Sequence, residues 1–182
     1  QQRTRAALDR LASAGASVEE LALPESFRTA IPDQLTIMAA EAAAFHKPLY
    51  EKQAQDYQPK LREMLLRGLE IDAVTYSKAL ERRLQFSADM RLMAEKADIL
   101  LTPSTPSAPL ADLTNTGDTR FQGPWTSCGL PTITLPAGLA ESGLPMGIQL
   151  IAPPFEEARL LAIARWCEKV IDVQGTPLGR RE

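Results

Sequence analysis

Two short apolar runs rich in β-branched residues, Thr132 to Leu135 and Ile148 to Ile151, are each preceded by glycine and proline. Glycine opens backbone angles closed to other residues, and proline fixes φ and removes a donor, so both favour tight turns and resist helix. Each run is too short and too apolar for a surface helix and reads as a buried sheet strand. Glu141-Ser142-Gly143 between them supplies a turn. An antiparallel pair is the simplest connection, with a longer link as the alternative. Upstream, Phe121-Gln122-Gly123-Pro124-Trp125-Thr126-Ser127-Cys128-Gly129-Leu130-Pro131 completes the stretch around which the chain is organised.

The 182 residues with 45% hydrophobic content suffice for one sizeable core and predict one domain. Lys+Arg 20 against Asp+Glu 23, 5% aromatic residues and no basic cluster argue against nucleic-acid binding. No apolar run approaches the roughly 20 residues that span a bilayer, and no secretory apolar region opens the chain. The absence of Met at position 1 points to a chain that starts inside a larger protein or has been trimmed. Cys128 and Cys167 are too few for a disulfide framework, which makes a cytoplasmic, reduced protein the expectation. One histidine, His46, and two separated cysteines do not form a zinc site, and no Gly-rich phosphate loop occurs. No metal and no cofactor are expected.

Along the chain, Arg3 to Ala14 has helical spacing and Gly15 closes it. Ser17 to Leu23 reads as a short strand ended by Pro24. Pro32 to Tyr57 is Ala-rich and helical, with Leu35, Met38, Ala39, Ala42, Ala43 and Phe45 on one face and a break at Pro48. Pro59 to Leu69 is a second helix, and Asp72 N-caps a third through Lys96. On that third helix Tyr76, Leu80, Leu84, Ser87 and Met90 or Arg91 recur on one face. Asp98 to Thr102 is a buried strand, and Pro103 to Asp118 a semi-rigid loop. A short helix is expected within Asp118 to Ser127. Pro153 and Pro154 start a final helix with Leu160, Ile163 or Ala164, Cys167 and Val170 or Ile171 inward. The tail from Gln174 to Glu182 is expected to fray.

Gly-Pro-Trp-Thr-x-x-Gly-Leu-Pro at 123–131, Thr-Ile-Thr-Leu-Pro-Ala-Gly at 132–138 and Gly-Leu-Pro-x-Gly-Ile-Gln-Leu-Ile at 143–151 come in one order, before a closing helix. With Asp-Ile-Leu-Leu-Thr-Pro-x-x-Pro at 98–106, they resemble the C-terminal part of an amidase signature family enzyme. That family includes amide hydrolases and the amidase component of glutamyl-tRNA amidotransferases. The resemblance covers nearly the whole chain, whereas family members are over twice this length. It implies an α/β fold with a mixed β-sheet flanked by helices, and residues 1–182 as the C-terminal portion of a single domain. It also implies that the helix carrying Glu41-Ala42 approaches the substrate channel. The implied chemistry is amide C–N hydrolysis by a serine nucleophile, a second serine in a cis peptide and a lysine base, through an acyl-enzyme. Those residues belong to a Gly- and Ser-rich segment. This chain holds no Gly-Gly or Ser-Ser pair, so no catalytic residue is assigned to it.

The residues present offer little chemistry of their own. Ser104 and Ser107 sit among prolines, which lack the N–H groups of an oxyanion hole, and read as turn hydroxyls. Cys128 has no base tied to it and reads as a buried thiol. Substrate binding is the better expectation. The resemblance implies an acidic or polar residue in the segment 116–121 near the substrate's amide, amino or carboxylate group. Asp118 is the candidate, with Thr119 at the position where some relatives carry the acid. Arg120 either binds a carboxylate as a bidentate pair or pairs with Asp118. Phe121 and Trp125 either wall an apolar pocket or belong to a core or interface. Thr126 completes the set, and Arg62 and Tyr76 are further candidates on helices that flank the channel in relatives.

The chain is therefore read as the C-terminal portion of an amidase, contributing sheet strands and a channel wall and inactive alone. The alternative is a non-catalytic binding or assembly module derived from the same fold. Expected partners are a small-molecule amide and the N-terminal part of the same protein, with a homodimer as an option.

Overall fold

A computed structural model describes residues 2–112 and 114–173, which fall in two compact units: residues 24–89, and the described residues of 2–23 and 90–173. The expected fraying of Gln174 to Glu182 lies outside the described residues.

The unit of residues 24–89 is helical. A 3₁₀ turn, Glu25–Thr29, leads into helix α2 (Ala30–Gln53), numbered after α1 (Gln2–Ser13) of the other unit. The buried face of α2 is Ala30, Asp33, Ile37, Ala39 and Ala43, while Leu35, Met38 and Phe45 are exposed, unlike the expected face. The cause is α3 (Pro59–Leu69), which crosses through Gly68. A Cβ there would lie 2.0 Å from Ala39 O and 2.7 Å from Ala43 Cβ, so small residues rather than large ones choose the contact. Pro48 does not break α2. It removes one backbone donor from an exposed position and the helix continues to Gln53.

The buried Asp33 carboxylate takes two bonds from Arg82 Nε, at 3.0 and 2.9 Å, and one from Nη2, joining α2 to α4 (Ala73–Ala94). Asp72 caps α4 by accepting from Thr75 N at 2.8 Å, which also lowers its carboxyl pKa. Phe86 is buried edge-on to Phe27, with ring centroids 5.7 Å apart. That aromatic pair sets the inward face of α4 at Ala79 and Phe86, and Leu84, expected inward, is 68% exposed.

The other unit holds the sheet. Strands β1 (Leu100–Pro103), β2 (Thr132–Leu139) and β3 (Pro145–Ile151) lie in the order β1-β3-β2, antiparallel throughout. The α/β reading holds, but the described sheet is antiparallel rather than mixed. Ser17 to Leu23 is not a strand: it follows the left-handed Gly15 (φ 100°) as irregular, mostly exposed chain without ladder partners among the described residues. The β2–β3 hairpin closes as expected, Ala140 N donating to Leu144 O at 2.8 Å with Gly143 at φ 75°. Helix α5 (Gly123–Cys128) ends on Gly129, left-handed at φ 70°. Helix α6 (Glu157–Ile171) starts after Pro153 and Pro154, because Phe155 adopts φ 66° and interrupts the helical path.

Helices α1 and α6 cover one sheet face. Leu135, Ile148 and Leu150 meet Ala7 and Leu11 of α1 and Leu160, Ala164, Cys167 and Ile171 of α6 in one apolar cluster. Arg10 donates to Ile171 O and ties the end of α6 to α1. Among the described residues, no helix is long and apolar enough to cross a membrane.

Candidate functional site

Successive strand residues point to opposite sheet faces, so the face away from α1 and α6 is set by the alternate positions. The register aligns Thr102 with Gln149 and Gln149 with Thr134. Further along β3, Gly147 lies between Ser104 and Thr134. Ser104 N donates to Gly147 O at 3.1 Å, which extends the β1–β3 pairing beyond Pro103. A Cβ on Gly147 would sit 2.8 Å from Ser104 Oγ and 2.9 Å from Thr134 Cγ2. Glycine is needed at 147 so that the two hydroxyl side chains can close over the backbone.

Above this floor lies a groove of about 670 Å³, walled by residues of the segments 105–112 and 115–122. Ser104 is buried at 4% exposure, and its Oγ is 3.4 Å from Thr134 Oγ1. The walls combine hydroxyls, amides and prolines with the apolar Ala108, Leu110, Leu135 and Met146, and hold two ionisable groups, Asp112 and Asp118. Asp112 accepts from Thr114 N (2.8 Å) and Thr114 Oγ1 (2.7 Å), which holds its carboxyl below the ordinary value. Asp118 is held low by Arg120, whose Nε donates at 2.7 Å and whose backbone N donates at 2.8 Å.

Of the residues singled out from sequence, Asp118 and Thr119 line this groove. The Arg120 guanidinium is spent on Asp118 and lies outside the lining. Thr119 O accepts from Gln122 N (2.9 Å) and Gly123 N (2.7 Å), which starts the turn into α5. Phe121 is half-buried, Thr126 is exposed, and Trp125 is 3% exposed on α5. In the helical unit, Arg62 Nη2 donates to Ala54 O (3.0 Å) and Tyr57 O (3.2 Å), and Tyr76 Oη donates to Glu41 Oε1 (3.0 Å). Both are committed to holding helices. His46 Nδ1 lies 3.0 Å from Tyr57 Oη in the same unit.

Sequence reasoning set aside Ser104 as a turn hydroxyl and passed over Thr134 and Gly147. The available signal was period-two alternation, which puts Thr102, Thr134 and Gln149 opposite Leu101, Leu135, Ile148 and Leu150, on the face that also holds Leu100 and Ile151. Cys128 carries no nucleophilic role: it is 2% exposed, and burial pushes its thiol up to about 11.

The chain matches the family model described as Amidase over residues 1–161. It is 31% identical to the A-subunit of the glutamyl-tRNA(Gln) amidotransferase of Parvibaculum lavamentivorans, covering 92% of this chain and 40% of that protein. It is 34% identical to a putative amidase, AmiD, of Mycobacterium bovis over 68% of this chain and 28% of that protein. A crystal structure of an amidase superposes with a TM-score of 0.84 at 25% identity, covering 92% of this chain and 41% of the other. This chain thus spans less than half the length of these relatives.

Proposed function

Because the chain belongs to the amidase family, we propose that it is the C-terminal portion of an amidase whose whole domain hydrolyses a carboxylic amide to a carboxylate and ammonia or an amine. Its part is to supply sheet strands and one wall of the substrate channel, including Asp118 and Thr119. The observation that carries this reading is the match over residues 1–161 combined with coverage of 40% of the amidotransferase relative. The chemistry that the family resemblance implies, a serine nucleophile with a bridging serine and a lysine, belongs to residues outside this chain. The thiol of Cys128, neutral at physiological pH and buried, supplies no substitute.

Two features support dependence on the rest of the protein. Both β1 and β2 are edges of the three-stranded sheet, and open edges invite pairing. Phe155, 93% exposed at φ 66°, holds a large ring in solvent on a strained backbone. The N-terminal part of a cytoplasmic amidase would cover such groups. An assay of ammonia release by the purified chain is expected to read blank. Release should appear when the polypeptide encoded upstream in the same frame is co-expressed with it. Turnover by the chain alone would overturn the reading.

A further inference from the structure

We propose that the groove floored by Ser104, Gly147 and Thr134 is a ligand site that accepts a neutral or ammonium-bearing amide and rejects carboxylate-bearing ones. The proposal rests on the channel-wall reading above and adds the chemical class that the wall selects.

The floor is built for a polar group. Ser104 is buried at 4% exposure and anchored through its own N–H to Gly147 O. Its hydroxyl has Thr134 Oγ1 at 3.4 Å as partner, beyond the about 2.5–3.0 Å of a sound O–H···O bond. The hydroxyl pair therefore keeps donor and acceptor capacity on the groove side. On the same sheet face, outside the groove lining, Thr102 Oγ1 is buried with no hydrogen-bond partner. An unmade or stretched bond at a buried hydroxyl is costly, and the long Ser104–Thr134 contact leaves the groove floor able to bond a polar ligand. An amide suits it, having a carbonyl to accept and an NH₂ to donate.

Charge then selects. The lining contains Asp112 and Asp118 and, among the described residues, no lysine, arginine or histidine. Arg120, the cation nearest in sequence, is bonded to Asp118 and stands outside the lining. Asp118 is already paired with Arg120, so a ligand carboxylate entering here meets the charge of Asp112, whereas an ammonium group is drawn to it. Both carboxyls lie below their ordinary range, so the groove stays anionic at neutral pH.

The test is an amide-resolved NMR titration of the full chain with three probes of similar length: butyramide, 4-aminobutyramide and succinamate. The first two are expected to shift the Ser104, Thr134 and Gly147 signals, with succinamate binding about tenfold more weakly. Asp112→Asn should narrow that gap. Ser104→Ala should weaken butyramide several-fold while circular dichroism and the unfolding midpoint hold. Equal or tighter succinamate binding, shifts centred away from the groove, no shift with any probe, or unchanged binding by Ser104→Ala would each overturn the proposal. No arm requires turnover, so its failure is separable from that of the amidase reading. Hydrolysis restored by the upstream polypeptide without these shifts would remove the groove alone. Shifts without restored hydrolysis would remove the amidase reading alone.

Discussion

The two faces of the three-stranded sheet use the same strands and the same alternation for opposite ends. Toward α1 and α6, Leu135, Ile148 and Leu150 are closed into a continuous apolar cluster. On the reverse, past the buried Leu100 and Ile151, Thr102, Gln149 and Thr134 line up across the register, and Ser104 and Thr134 close over Gly147. Neighbouring residues of β3 thus answer to different physics. Ile148 and Leu150, at 0% exposure, gain from leaving water, while Gln149 between them is 3% exposed yet polar. A sheet needs only one apolar face to hold its helices. The other is free to carry polar groups at a stability cost, and retaining them there is what a site requires of a fold.

The sharpest way to break this contrast is to cut each face in turn. Ile148→Ala empties a fully buried position under α1 and α6 and is expected to cost about 3–4 kcal/mol, read as a lowered urea midpoint with the slope retained. Gly147→Ala probes the reverse face through geometry. Its new methyl would meet Ser104 Oγ at 2.8 Å, Thr134 Cγ2 at 2.9 Å and Leu135 O at 3.2 Å, so a loss of about 1–3 kcal/mol is expected. Ser104→Gly in the same chain should recover part of that loss, because it removes one of the two clashing side chains. Equal costs for Ile148→Ala and Gly147→Ala, with no rescue, would mean that the faces are packed alike and that the groove floor is ordinary core.

Thr102→Val is smaller and of opposite sign. The Oγ1 atom is buried without a partner, and an isosteric methyl removes that unmet demand. Stability should be unchanged or rise by up to about 1 kcal/mol, measured by thermal unfolding. A loss of similar size would reveal a hidden hydrogen bond and weaken the case for a face kept polar for a ligand.

The parts of this architecture legible in sequence are those fixed by local chemistry. The Asp72 cap, the Pro59 helix start and the β2–β3 hairpin follow from residues a few positions apart, and each is present in the structure. On α6, the buried set Leu160, Ala164, Cys167 and Ile171 follows from 3.6-residue periodicity and selects among the alternatives left open. What failed depended on distant partners. Ser17 to Leu23 has strand-like residues, but a strand exists only by pairing, which spacing does not reveal. The buried face of α2 was decided by Gly68 on another helix, which favoured Ala39 and Ala43 over the larger Leu35 and Met38. At the groove, the Asp118–Arg120 pair was readable because it spans two residues. Ser104 was set aside because its significance comes from Thr134 and Gly147, 30 and 43 positions away by their numbering.

The least effect, and the one that separates the faces by sign, is expected from pH. Asp112 and Asp118 are held below the ordinary carboxyl value of about 3.9 by the bonds they accept from Thr114 and Arg120. A depressed folded-state pKa gives stability that is present above the unfolded value and is lost as pH falls through the folded one. The loop over the polar face should therefore keep its amide signals between about pH 7 and pH 5 and lose them only below about pH 4. The apolar face contains Cys167, whose thiol burial pushes up. A raised thiol pKa acts the other way: the unfolded chain ionises first, so stability falls as pH climbs past the ordinary thiol value of about 8.5. Acid should loosen the groove loop first, and alkali should weaken the helix-covered core first, as followed by amide signals assigned to each. Cys167→Ala should reduce the alkaline sensitivity of this core, the remainder coming from the buried thiol of Cys128, and leave the acid one. Loss of both faces together at either extreme would show that the sheet responds as one unit and that the division between its sides has no energetic meaning.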